Sequence, residues 1–191
     1  MSINKHLLAG LLCLVAGPAF GCAYHGAIDA QLKVMYPGSL AVAVALRQAA
    51  DAAVIDADAL VAPQRRRALY IDSVGRLQAF RTAMTAAGGL PPAFSLGFVE
   101  SGLWTRYHHT DRQLRADIHT AGPDDGEPVV LTGEPVLEEI LAGTLSAERA
   151  LDDRLVLIQG SDEERAALRR ALAAIAPGHL SAPQGPIHHA R

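Results

Sequence analysis

Cys22 and His25, in the stretch PAFGCAYHG at 18–26, are the residues whose types and spacing point most directly to chemistry. A thiolate and an imidazole three residues apart fit one helical turn or a tight loop, a reach suited to two ligands of one metal ion. His108 and His109, with Asp111 close behind, follow the Trp104 segment where a turn is expected. If the chain folds back, Cys22, His25, His108 and His109 would supply a soft, partly imidazole site suited to Cu(I) or Zn(II). No HExxH, CxxC or CxxCH pattern occurs, so neither a zinc-protease site nor c-type haem attachment is indicated. Ser101-Gly102 lacks the glycine two residues before the serine that a nucleophile elbow requires. Glu138 and Glu139 are adjacent and face different ways on a helix, so they make no acid–base pair. Gly-rich phosphate loops are absent, and nothing nominates an enzyme.

The setting of Cys22 opens other roles. Lys5 and His6 form a short polar region, Leu7–Val15 is apolar, and Gly17-Pro18 breaks the segment. Ala19 and Gly21 then place small residues three and one before Cys22, so residues 1–21 read as an export signal. The apolar stretch is too short for a comfortable transmembrane span, and no later stretch approaches its hydrophobicity. The expected location is outside the cytoplasm, in the periplasm of a bacterial-type envelope. Removing the leader takes Cys13 with it, which leaves Cys22 without an intramolecular disulfide partner. The site resembles a bacterial lipoprotein cleavage site, which implies lipidation of Cys22 and contact with the membrane only through that anchor. A lipid attachment point, a metal ligand and an incidental thiol all remain open for Cys22.

The elements that must position these groups follow from composition and pattern. Of 191 residues, 50% are apolar and only 5% aromatic, so a core must rest on Ala, Leu, Val and Ile. The net charge is −3 and Arg65–Arg67 is too short a basic run to make a nucleic-acid stripe. Pro37-Gly38-Ser39 starts a helix that Ser39 can cap, running to about Ala59. Pro63 opens a second, with Tyr70, Val74, Leu77 and Met84 as its stripe, Phe80 beside it and Gly88-Gly89 as its end. Residues 22–89 therefore read as a helical hairpin region.

Beyond Leu90-Pro91-Pro92 the period changes. Phe94, Leu96 and Phe98 alternate with Ser95 and Gly97, Ser101-Gly102 turns, and Leu103–Tyr107 returns as a second strand. Strands are also expected around 114–118, 129–131 and 155–158, and helices over 134–141, 146–151 and 162–176. The region 90–176 is therefore α+β with an antiparallel-rich sheet, followed by a polar tail, 177–191, expected to be disordered.

The stretch GTLSAERALDDRLVLIQG, residues 143–160, resembles the closing section of the sterol carrier protein 2 family. Gly143, Leu145, Ala150, Ile158 and Gly160 fall at that family's spacings, and a hairpin centred on Gly102 with Trp104 on its second strand is similar as well. Arg154 stands where the family usually has glycine, and its long side chain would narrow or recast a cavity. The resemblance implies a sheet covered by helices over roughly 90–176 and an apolar or lipid-like ligand bordered by Phe94, Phe98, Trp104, Leu145 and Arg154. Three functions compete on these grounds. The first is a noncatalytic binding protein for an apolar small molecule or an envelope partner. The second is a metal- or redox-associated accessory protein using Cys22 and His25. The third is a scaffold that interacts through the Ala-rich helix.

Overall fold

A computed structural model describes residues 36–61, 66–110, 113–176 and 178. In chain order the elements are α1 (Ser39–Asp51), α2 (Ala57–Val61), α3 (Arg66–Ala87), β1 (Ala93–Phe98), β2 (Leu103–Thr110) and β3 (Gln113–Thr120). Then follow β4 (Val129–Thr132), α4 (Glu134–Ala142), α5 (Ala147–Asp152), β5 (Val156–Gln159) and α6 (Asp162–Ala173). The class is α+β, as the change of period at Leu90 suggests.

Five strands form one sheet in the order β3-β2-β1-β4-β5. Three neighbouring pairs are antiparallel, and β1 runs parallel to β4, so the sheet is mixed. Side chains alternate across a strand, and the register then sorts them by face. Phe94 lies opposite Tyr107, Leu96 opposite Thr105 and Phe98 opposite Leu103, all on one face. Helix α3 covers that face: Phe80 meets Phe94 and Tyr107 edge-on, with ring centroids 6.5 and 5.5 Å away. Phe94 and Tyr107 stack at 5.0 Å. The Tyr107 hydroxyl donates to the Leu77 carbonyl at 3.2 Å, so this buried phenol is satisfied, and burial pushes its pKa far upward.

On the reverse face Gly97 lies opposite Trp104, and α1 packs toward β4, with Gly38 at its start lying against Leu157 of β5. A Cβ on Gly97 would lie 2.8 Å from the indole, and one on Gly133 2.7 Å from Leu46 of α1. Glycine at these two positions is what allows the ring and the helix to come so close. One hydrophobic cluster runs from Val42 of α1 through the sheet to Leu172 of α6, joining the N-terminal helices to the sheet.

Three local details differ from the sequence reading. Helix α1 stops at Asp51 rather than near Ala59. Ala53 takes φ 54°, the N–H groups of Ala53 and Val54 donate back to the Ala50 and Ala49 carbonyls, and Ile55 then enters the core. Ser39 does not cap α1; its side chain donates to the Tyr36 carbonyl and accepts from the Tyr36 N–H. Helix α6 ends at Ala173 rather than near 176, and Ser161 caps its start in a reciprocal arrangement with Glu164. The Ser161 hydroxyl bonded to Glu164 holds that carboxyl below its usual range. No helix among the described residues is long and apolar enough to cross a membrane.

Candidate functional site

Alternation along β1 and β2 decides first where the expected ligand residues lie. Phe94 and Phe98 sit under α3 in the filled core, at 0% and 1% exposure. Trp104 stands on the opposite face, over Gly97 and edge-on to Tyr36 at 5.7 Å. Leu145 is buried between α4 and α5. The structure does not gather Phe94, Phe98 and Trp104 around one cavity, because the sheet itself separates them.

His108 and His109 are strand residues, not turn residues, since β2 continues to Thr110. Being adjacent in a strand they point to opposite faces, which prevents them from closing on one ion. His108 lies 3.4 Å from Asp117 through its Nδ1, and His109 pairs in register with Leu114. No group of three or more His, Cys, Asp or Glu placed to hold a metal ion occurs among the described residues. Cys22, His25 and Asp111, the export signal and nearly all of the tail lie outside the described residues.

Arg154 is placed where a ligand can reach it. A groove of about 340 Å³ runs along β5, between α1 on one side and α5 and α6 on the other. Val42, Leu151, Val156 and Ile158 supply apolar lining, and Arg154, Arg169 and Asp152 supply its charges. The walls follow from local signals in the sequence. Ser146 caps α5 by accepting from the Arg149 N–H, and Gly143 ends α4 at φ 82°. Ala150 is fully buried and small, as the close approach of α5 requires.

A second polar locus forms where the parallel strands β1 and β4 end. The residue at the N-cap of α4 is Gly133, which has no side chain to cap the helix. Glu100, just past β1, fills that role from a distance: its Oε1 accepts from the Glu134 N–H at 2.5 Å. Glu134 in turn accepts from Ser73 and, at 2.8 Å, from Arg76, which also reaches Glu138 at 2.8 Å. The Glu100 Oε2 is sealed from solvent without a hydrogen-bond partner. Burial pushes the Glu100 carboxyl up to about 7, with the Glu134 charge adding to it and the backbone donors of Glu100 and Glu134 opposing. Reading the sequence missed this residue. The available signal was an acid isolated in the apolar run GFVESGL, ahead of a Gly-Glu-Pro helix start with no cap of its own.

A third polar cluster lies on the reverse face. Arg106 bonds Glu127 at 3.1 Å and Asp124 at 2.8 Å, and the Glu127 hydrogen bond raises its pKa, so the guanidinium stays charged. Glu127 also accepts from Ser95 and the Asp124 N–H, which ties the loop before β4 to the sheet. Leu40 and Val44, one turn apart on α1, and Ile71 on α3 are the large apolar side chains left exposed among the described residues.

No known protein family and no curated protein matches the chain. Solved structures do. A stereoselective inverting sec-alkylsulfatase from Pseudomonas sp. is similar at 14% identity over 54% of this chain, with a TM-score of 0.36. The chain spans only 13% and 15% of the two sec-alkylsulfatase structures it matches. A conserved hypothetical protein from Thermus thermophilus is similar at 17% identity over 56% of this chain and 82% of its own, with a TM-score of 0.31. Sterol carrier protein 2 is also among the similar solved structures, at 14% identity over 55% of this chain and 95% of its own, with a TM-score of 0.35.

Proposed function

We propose that this chain is a noncatalytic binding protein whose ligand is an apolar or lipid-like molecule held along β5, and that it works outside the cytoplasm. The groove beside β5 carries the ligand reading. It is concave, its lining includes Val42, Leu151, Val156 and Ile158, and Arg154 opens onto it. The core under α3 is filled by Phe80, Phe94, Phe98 and Tyr107, so the ligand is assigned to the margin of the sheet rather than beneath it. Export rests on the leader pattern at 1–21, and lipidation or metal binding at Cys22 rests on sequence alone. An envelope partner is the second occupant to consider, and it would meet the exposed pair Leu40 and Val44.

Trp104 does not line the groove, so its fluorescence is a poor reporter; the backbone amides of β5 are better placed. Titrating the isotope-labelled protein with a ten-carbon amphiphile should shift the Val156–Gln159 resonances saturably. The melting temperature should rise as well, by the equivalent of about 2.7 kcal/mol at a hundred times the dissociation constant. If resonances of β5 stay fixed with charged and neutral amphiphiles alike, the ligand-binding reading fails.

A further inference from the structure

We infer that Arg154 and Arg169 clamp an anionic head group at the β5 groove, so that its ligand is a single-chain amphiphile with a negative head, such as a carboxylate. This inference rests on the ligand-binding reading of the groove.

The backbone at Arg154 is the first observation. Helix α5 ends with the Arg154 N–H donating to the Leu151 carbonyl at 3.2 Å and the Leu155 N–H to the Ala150 carbonyl at 2.8 Å. That pattern puts the residue after the cap in the left-handed region, and Arg154 has φ 59°. Glycine takes this conformation without cost and is the usual residue there, whereas a long side chain resists it. Gly143, at the end of the preceding helix, shows the unstrained solution in the same molecule. A strained residue facing a groove is a recurrent mark of a functional side chain.

Charge is the second observation, and it is independent of the first. Two nearby arginines are committed, Arg149 to Asp153 at 3.3 Å and Arg165 to Asp162, and Arg170, whose guanidinium is unpaired like that of Arg169, does not border the groove. The guanidinium groups of Arg154 and Arg169 have no ion-pair or hydrogen-bond partner among the described residues, and both residues border the groove. Asp152 is the acid among the lining residues and makes no ion pair with either of them. Two guanidiniums against one carboxylate leave the rim net positive beside apolar lining. Guanidinium is suited to binding a carboxylate with two parallel hydrogen bonds.

The test compares decanoate with decanol, both below the concentration at which they aggregate, by calorimetry and β5 amide shifts. Decanoate should bind about tenfold tighter or more at low salt, the scale of a charge-assisted hydrogen bond. That preference should shrink as salt rises. Arg154→Gly and Arg169→Gln should each remove most of the preference, and Arg154→Lys should keep part of it. Arg154→Gly should melt no lower than the parent, which separates lost recognition from lost folding. Equal binding of decanol and decanoate, or an undiminished preference in Arg154→Gly, would overturn the clamp while leaving the groove a binding site. Binding to anionic vesicles without binding monomeric decanoate would overturn it in favour of a membrane surface. Binding of neither amphiphile would overturn the clamp and the proposed function together.

Discussion

Under α3, strands β1 and β2 present Phe94, Leu96, Phe98 and Tyr107, whereas on the reverse the same strands present Ser95, Gly97, Trp104 and Arg106. The first set interlocks with Phe80 and Leu77 and leaves no room for a guest. The second set is one large ring lying on a glycine, beside a polar layer tied through Glu127. Residues alternating along two strands thus divide the labour: one face supplies cohesion, and the other leaves α1 free to form a wall of the β5 groove. The aromatic residues of these two strands mark the interior of the fold.

Removing an aromatic from the α3 face should be the most damaging change. Phe80→Ala should lower unfolding free energy by about 3–5 kcal/mol in a urea titration, because the stack around Phe94 cannot collapse fully into the gap. A loss near zero would mean that the face is loosely packed and would erase the contrast.

Glu100 tests the end of β1, where α4 is fastened. Its carboxyl is raised from 4.5 to about 7 in the folded chain, so folding favours the protonated form. The stability it contributes is fully present below 4.5 and is lost as pH rises through 7, to the extent of up to about 3 kcal/mol. Glu100→Gln keeps an oxygen for the Glu134 N–H and has no proton to lose. Its urea stability should therefore stay flat across that window where the parent's falls. Parallel profiles would show that Glu100 ionises as readily in the folded chain as in the unfolded one.

On the reverse face, Gly97→Ala places a methyl 2.8 Å from the Trp104 ring and should cost about 1–3 kcal/mol. Tryptophan emission should shift while the tyrosine and phenylalanine near-ultraviolet signals of the α3 face persist. If both faces respond, they are more tightly coupled than their separate packing suggests. The smallest effect has the opposite sign. Arg154→Gly, by relieving the left-handed backbone, should raise stability by about 1 kcal/mol.

Most of this architecture was legible in the chain. The alternation of Phe94, Leu96 and Phe98, the turn at Ser101-Gly102, and the helix ends at Gly88-Gly89 and Gly143 are local signals, and local forces decide them. The candidate site was less legible because it depends on parity and on distance. Periodicity placed Trp104 mid-strand, but which face it shares is set by the register across the hairpin, where Gly97 opposes it. His108 and His109 read as a turn because two polar residues follow an apolar run, yet pairing with Arg115 and Leu114 keeps them extended. Glu100 caps a helix whose first residue lies 34 positions away, and no window of sequence contains both partners. At Arg154 the departure from glycine was visible, and the strain that makes it informative was not.

The mixed order of the sheet has one more consequence. Strand β1 is paired on both edges, to β2 on one side and β4 on the other, while β3 and β5 each have a strand on one side only. Every side chain of β1 from Phe94 to Phe98 is buried as well. Exchange of amide hydrogen for deuterium requires an opening that exposes the N–H to water. Openings that release β3 or β5 leave β1 paired, so the β1 amides report the global unfolding event. The outer strands report smaller excursions, and of the two only β5 borders the groove.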